Sequence, residues 1–300
     1  MKRTAMMFLT VAVASFVSAQ QPAPAKQTAP SGQSSTPAQG AAAAPAPQGK
    51  RPPQAKTQAE FDAYKAAASA TDGPTLEKAA DDFAAKFPDS ELRRLLYRSA
   101  MIAYQNGNNG DKMSEMAEKE LKIDPDDPEA LIASSEVIAE RTRDTDLDKD
   151  QRWAEAQKLA EHALETTETD LPAGIPPDKV DAFKGFLRSS AYSVLGTIAF
   201  SQEKYPEAEG YFHKSIDAYP AQVDPVVVLR LAIALDKQGR YPDALKEANH
   251  AVELTQENTT SGTLARRERD RLVQLTGGST PAPPAKPSAG TTPAPAPPSH

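Results

Sequence analysis

The sequence contains no cysteine and only four histidines among its 300 residues. The lack of cysteine excludes a disulfide framework, a thiolate zinc site, an iron–sulfur cluster and a cysteine nucleophile. The histidines, at positions 162, 213, 250 and 300, do not have the spacing of a histidine zinc site. The sequence also lacks a phosphate-binding glycine loop, a dinucleotide fingerprint and a G-x-S-x-G motif. These absences predict a protein that is not an enzyme and that binds no metal and no cofactor.

Acidic residues are missing from both ends of the chain. All 41 Asp and Glu lie between residues 57 and 275, together with 27 Lys and Arg, so this segment carries 27 − 41 = −14 charges, against −7 for the whole chain. A strongly negative domain repels the phosphate backbone, because nucleic-acid affinity comes first from Lys and Arg. No nucleic-acid partner is therefore expected.

Both ends are instead rich in proline. Eight of the 27 prolines lie between residues 21 and 56, and eight more lie between 281 and 298. Residues 20–56 and 276–300 have almost no large apolar side chains to bury, so we expect a disordered linker and a disordered tail. A solvated spacer is the favoured interpretation of these flanks. The alternative is a polyproline ligand or a contact with cell-wall polymer.

The first 19 residues have the pattern of a signal peptide. A basic start precedes an apolar stretch over residues 4–17, and small residues lead up to Ala19. This pattern predicts cleavage after Ala19, so that the mature chain begins at Gln20. The apolar stretch is short for a membrane span, although an uncleaved anchor is the alternative. We therefore expect an exported protein, periplasmic or extracellular, with no integral membrane segment after cleavage.

Apolar residues recur at helical spacing between 57 and 275, and Gly or Pro separates the segments. The pattern predicts an all-α domain of five helix hairpins followed by a C-terminal capping helix. The predicted helices are 57–70, 74–87, 91–105, 111–123, 128–142, 151–167, 178–202, 205–218, 224–238, 242–256 and 262–275.

Two segments late in the chain repeat one another. Residues 203–208 (EKYPEA) are echoed by 239–244 (GRYPDA) at an offset of 241 − 205 = 36 residues. Aromatic, Leu-Gly, A-x₃-F and Pro positions follow the tetratricopeptide signature. The residues that carry this motif are Tyr192, Leu195, Gly196, Ala208, Phe212, Pro220, Tyr241 and Ala244. The sequence thus resembles an exported bacterial type of the tetratricopeptide repeat family over about 57–256, most clearly at 189–222 and 225–258.

The resemblance implies a right-handed superhelical solenoid of antiparallel helix hairpins. In this family the first helices of the hairpins line a concave groove that binds peptides or partner helices. The groove candidates are Arg98, Ile102, Thr197, Phe200, Arg230, Ile233 and Lys237. The same mapping puts Ile132, Glu136 and Ser193 in the groove. Arg230, Ile233 and Lys237 are expected on the exposed face of one helix.

The resemblance favours a protein–protein interaction scaffold of the bacterial cell envelope, whose partner the sequence does not identify. The rival hypothesis is a structural or cell-wall-associated spacer, in which the Pro/Ala-rich flanks carry the function. A third, enzymatic hypothesis requires a catalytic group assembled across hairpins, and no motif supports it.

An acidic loop and an aromatic residue follow the fifth predicted helix. Asp144, Asp146, Asp148 and Glu155 have the spacing of an EF-hand calcium loop, but Lys149 stands where the sharp turn requires glycine. A solvated loop is therefore favoured over a calcium site. Trp153, the only tryptophan, begins a small-residue stripe at helical spacing and is predicted to lie in the core. The histidines at 162, 213 and 250 are predicted to be exposed on the convex side.

Overall fold

The computed structural model describes residues 51–277, which form an all-α array. The predicted signal peptide 1–19, residues 20–50 of the predicted linker and the tail from residue 278 lie outside the described residues. Two short 3₁₀ turns lie at Pro177–Lys179 and Pro220–Gln222. The helices are α1 (Gln58–Ala67), α2 (Gly73–Lys86), α3 (Arg93–Asn106), α4 (Gly110–Leu121), α5 (Pro128–Arg141), α6 (Lys149–Thr166), α7 (Val180–Ser201), α8 (Tyr205–Ala218), α9 (Pro225–Lys237), α10 (Tyr241–Glu253) and α11 (Thr260–Thr276).

All eleven predicted helices are confirmed, with boundaries within three residues of the expected ones. Their starts follow from local chemistry, because an acidic cap accepts the first free backbone N–H groups. Asp127 Oδ1 accepts hydrogen bonds from the N–H groups of Glu129 and Ala130, at 3.0 and 3.1 Å. Pro128 follows at the first helical position, where its missing N–H is no loss. Asp224 caps α9 in the same way, with Pro225 after it.

The helices pack as five consecutive hairpins, α1/α2 to α9/α10, and α11 covers the last one. Each hairpin also contacts the next along the chain. In addition, α5 contacts α7 and α7 contacts α9, so the first helices of successive hairpins lie side by side. The structure therefore confirms the expected all-α hairpin array, in which each unit completes its neighbour's core.

Small residues allow the closest approach within the α7/α8 hairpin. Gly196 lies against the ring of Phe212, which is fully buried, and Ala208 is buried on the same helix as Phe212. Tyr192 stacks on Tyr211 with 6.5 Å between the ring centroids. Gly196 and Phe212 therefore lie at the contact between the two helices of this hairpin.

The remaining motif residues are less uniform. Leu195 and Ala244 are buried, at 3% and 0% exposure. Pro220 begins the 3₁₀ turn after α8. Tyr241 begins α10 and is 39% exposed, so it packs less than the other aromatic residues of the motif.

The last residues of the predicted linker lie against the first hairpins. The Lys56 ammonium group donates to the Asp89 carbonyl at 2.9 Å, and Arg51 forms an ion pair with Glu91. Pro53 between them is buried. The part of the chain that packs on the array therefore begins before residue 57.

Candidate partner-binding groove

The first helices α3, α5, α7 and α9 share one face of the array, and two adjoining hollows lie on it. We call the hollow between α3, α5 and α7 the apolar notch. Most of its lining consists of aliphatic and aromatic side chains, with a few polar groups at its edge. The lining includes Met101, Ile102, Ile132, Phe186, Glu136 and Ser190.

The second hollow, between α5, α7 and α9, we call the polar notch. Its lining is mostly hydroxyl, carboxyl and guanidinium groups, from Glu136, Glu140, Ser190, Ser193, Thr197 and Arg230. Glu136 and Ser190 line both notches, so the two hollows adjoin at these residues, and together we call them the groove. Ile132, Glu136 and Ser193, which the sequence mapping puts on this face, are among the lining residues.

Glu136 lies at the centre of the groove and is partly buried. Within residues 51–277 its carboxyl group forms no hydrogen bond and no ion pair. Burial, with a smaller contribution from the nearby Glu140 carboxylate, raises the pKa of Glu136 to about 8, and Arg230 opposes the shift. The groove thus contains an acid that has no partner among residues 51–277.

Arg230 is not the freely exposed charge that the sequence suggested. It is partly buried, and its guanidinium group donates to Thr197 Oγ1 at 2.8 Å. A second nitrogen lies 3.6 Å from Glu140 Oε1. Because these two contacts are on α7 and α5, Arg230 joins three helices across the polar notch. The helical period alone could not predict these contacts, because they depend on which residues the neighbouring helices bring close to Arg230.

Arg98 is likewise engaged within the array. Its guanidinium group forms an ion pair with Glu129 of α5, and both side chains are mostly buried. Arg94, one turn earlier on α3, pairs with Asp124 in the same way. These pairs join the second hairpin to the third, so Arg98 has a structural contact rather than a free charge.

The other groove candidates divide into two groups. Ile102 lines the apolar notch, but Phe200 packs edge-on against Tyr205, with 5.5 Å between the ring centroids. Ile233 packs toward the apolar cluster at α10 and α11, and Lys237 is exposed near the end of α9. The structure therefore brings Ile102, Thr197 and Arg230 into the two notches, and it leaves the other four outside them.

Phe186 and Ser190 were missed by the sequence analysis. They precede Ser193 and Thr197 on α7 at spacings of four, three and four residues, which is one face of a helix. This four-residue stripe is the sequence signal for both side chains. Phe186 lies before the repeat motif, which begins at residue 189, and Ser190 lies within the motif at a position that the motif does not specify.

A cluster of buried acids lies away from the groove, where α4 meets the start of α5. Glu120 is 1% exposed, and both its carboxyl oxygens lack a hydrogen-bond partner. Burial raises the pKa of Glu120 well above its usual range, and the Asp127 carboxylate adds to this shift. Arg98 and Arg94 oppose it from α3. Burial at this position thus favours the neutral form of the Glu120 carboxyl group.

The acidic loop does not have the arrangement of a calcium site. Helix α6 begins at Lys149, so the second half of the proposed calcium loop is helical. Asp146 accepts the Arg143 N–H at 2.9 Å, and Asp144 lies 3.6 Å from the Lys149 ammonium group. Between residues 51 and 277, no group of three His, Asp or Glu side chains could hold a metal ion. Trp153 is buried, at 3% exposure, which confirms its core role.

The three histidines in the described range each lie beside a carboxylate rather than beside one another. His162 Nε2 is 2.8 Å from Asp126, while His250 Nδ1 is 3.7 Å from Glu247. His213 is exposed and the other two are partly buried. The predicted exposure is therefore confirmed for His213, whereas His162 and His250 are less exposed than predicted.

Comparisons with known proteins give a match to one repeat family and matches to solved structures, of which two are described here. The tetratricopeptide repeat family matches residues 188–219. The two structures, a mutant of MamA and MamA MSR-1, are similar to the chain with TM-scores of 0.42 and 0.41 and sequence identities of 18% and 19%. Each match covers 62% of this chain, and 90% and 88% of the MamA chains respectively.

No curated protein sequence is similar to the chain. Between residues 51 and 277, no helix combines the length and the apolar character needed to cross a membrane. The α7/α8 hairpin, with Gly196 against Phe212, lies within the matched segment. The chain therefore contains a tetratricopeptide repeat at residues 188–219, within an array of helix hairpins.

Proposed function

We propose that the protein is a non-enzymatic scaffold that binds a segment of a partner protein in the groove formed by α3, α5, α7 and α9. The observation that carries this proposal is that the two notches adjoin and share Glu136 and Ser190. A groove across four consecutive first helices offers an extended surface of the kind that repeat proteins use for binding.

The size of the notches favours side chains as their occupants. The apolar notch has a volume of about 40 Å³ and the polar notch about 20 Å³. Pockets for small molecules and cofactors usually have volumes of roughly 300 to 1,000 Å³. The notches are therefore too small for a ligand of that kind, and they are shallow recesses on a face along which a peptide or helix can lie.

A groove-blocking variant tests this function. Ser190→Trp would fill both notches, and Ala154→Trp on the exposed side of α6 adds the same ring elsewhere. We expect envelope proteins captured by the parent chain to be captured by Ala154→Trp and lost with Ser190→Trp. Circular dichroism must show equal helix content for both. Equal capture by both variants would contradict binding in the groove.

We propose further that the protein is exported and acts in the bacterial cell envelope. The signal-peptide pattern of residues 1–19 supports this location. N-terminal sequencing of the protein from the native host should begin at Gln20, and an intact Met1 would contradict export by this route. The rival function, a spacer or cell-wall contact through the flanks, predicts that removing residues 20–50 and 278–300 abolishes capture. The scaffold function predicts that capture is retained.

A further inference from the structure

We infer that the partner segment places a basic side chain, Lys or Arg, on Glu136 and a neighbouring apolar side chain in the apolar notch. This inference rests on the proposed function and specifies the chemistry of the ligand for the same groove. It follows from which charges in the groove are already paired and which are not.

The basic groups of the groove are engaged by the chain itself. Arg98 pairs with Glu129, and Arg230 contacts Thr197 and Glu140. Glu136 alone among these charged residues has no hydrogen bond or ion pair within residues 51–277. A partner's cation at Glu136 would therefore pair with the carboxylate form, for which residues 51–277 supply no counter-ion.

The groups that face Glu136 explain why residues 51–277 do not supply that counter-ion. On its own helix, Glu140 lies one turn away, and Glu129, which is paired with Arg98, also lines the apolar notch. The charged residues near Glu136 from α9 and its N-cap are Arg230 and Asp224. The α7 residues that line the polar notch carry only hydroxyl or apolar side chains, and α3 contributes no titratable group to the apolar notch. Three acids thus surround one arginine that is itself engaged.

A cation would also change the protonation of Glu136. Because its pKa is raised to about 8, the carboxyl group of the free protein is mostly protonated at neutral pH. An ammonium or guanidinium group at short range favours the carboxylate, so binding releases a proton. Affinity for a basic ligand should therefore increase as the pH rises from 6 to 8 and then level off above that range.

The apolar part of the ligand follows from the shape of the groove. The apolar notch is lined by Met101, Ile102, Ile132 and Phe186, and Glu136 stands at its border with the polar notch. A side chain in this notch and a cation on Glu136 would therefore come from neighbouring positions of one bound segment. Burial of an aliphatic side chain supplies affinity, and the ion pair supplies selectivity.

The experiment uses the full mature chain and a displayed library of random twelve-residue peptides. We expect the selected peptides to contain Lys or Arg next to Leu, Ile, Met or Phe. For one such peptide, affinity is then measured by fluorescence anisotropy with the parent chain, Glu136→Gln and the matched control Glu155→Gln. Glu155 is exposed on α6, so its variant makes the same replacement of a carboxyl by an amide away from the groove.

The expected result is a loss of about tenfold or more for Glu136→Gln and none for Glu155→Gln. Replacing the peptide lysine by norleucine should weaken binding to the parent chain by the same factor as Glu136→Gln does. Combining the norleucine peptide with Glu136→Gln should cause no further loss of affinity. In the parent, affinity should rise between pH 6 and 8, and Glu136→Gln should remove this rise. Glu136→Gln resembles the protonated acid in shape and charge, and its helix content is checked by circular dichroism.

The outcomes separate this inference from the function on which it rests. Peptides that bind the parent but not Ser190→Trp, without a preference for basic residues and without an effect of Glu136→Gln, would overturn the inference and leave the scaffold function intact. Peptides that bind Ser190→Trp as tightly as the parent would overturn the groove itself. A library that yields no binder would count against both.

Discussion

A Cβ atom placed on Gly196 would lie 2.5 Å from Cε1 of Phe212 and 2.6 Å from its Cδ1. Phe212 is fully buried and belongs to the core that α8 shares with α9. The ring therefore occupies the space that any other residue at position 196 would need. This contact fixes the distance between the two helices of the α7/α8 hairpin.

Gly196→Ala should destabilise the array. The ring of Phe212 can move only by disturbing the core beneath it, so we expect a loss of roughly 1–3 kcal/mol in the free energy of unfolding. Gly210→Ala is the matched control, because the same methyl group on α8 would meet no atom within 4 Å. The control should gain about 0.5–1 kcal/mol, since alanine favours the helix. Thermal unfolding of both variants measures the difference in stability. A Gly196→Ala variant more stable than the parent would show that Gly196 and the Phe212 ring are not in close contact.

Burial of Glu120 should make stability depend on pH. Its pKa is raised in the folded state, so the native protein keeps a proton that the unfolded chain releases above its ordinary carboxyl pKa of about 4.3. The free energy of unfolding therefore falls as the pH rises from this value through the folded-state pKa. This part of the pH dependence should be missing from Glu120→Gln, which cannot ionise.

The measurement for Glu120 is urea unfolding between pH 4 and pH 9. Relative to the parent, Glu120→Gln should gain stability steadily toward alkaline pH. Glu118→Gln changes an exposed carboxyl on the same helix and serves as the control. If Glu120→Gln and Glu118→Gln changed the free energy of unfolding by the same amount at every pH, burial of Glu120 would not be the cause of the pH dependence.

Arg230 and Lys237 lie on the same helix, seven residues apart, but they should respond differently to charge reversal. Arg230→Glu removes the hydrogen bond to Thr197 and adds a third carboxyl beside Glu136 and Glu140. Hydrogen bonds to charged groups contribute roughly 1.5–3 kcal/mol, so we expect a loss of that size. Lys237→Glu changes an exposed charge and should alter stability by less than about 1 kcal/mol. Equal melting temperatures for the two variants would argue against the contacts of Arg230.

Two apolar residues of the α5/α6 hairpin offer a test of its core. Trp153 is 3% exposed and packs with residues of α5 and α7, whereas Leu147 in the preceding loop is fully exposed. Trp153→Ala should lower the free energy of unfolding by roughly 3–5 kcal/mol. Leu147→Ala should change it by no more than about 0.5 kcal/mol. Guanidinium unfolding followed by circular dichroism compares them, and a mild effect of Trp153→Ala would place that ring outside the core.

Much of the fold could be predicted because its determinants are local. The eleven helices follow from apolar spacing, proline positions and acidic caps such as Asp127, which act within one or two turns of the chain. The repeat motif also places small residues at Gly196 and Ala208 and an aromatic residue at Phe212, but the contact of Gly196 with the Phe212 ring is seen only in the structure. The candidate site was predicted only as a face, the one made by the first helices of the hairpins.

The sequence by itself determined the helices, the hairpin order and which helix faces meet, since these depend on periodicity within single segments. Only the tertiary structure decided which charges on that face are free. Arg230 is held by residues more than 30 positions away on α7 and about 90 away on α5, while Glu136 has no partner on α3, α7 or α9 within the described range. An ion pair between helices depends on distances of a few ångströms between side chains far apart in sequence, and no local pattern encodes those distances.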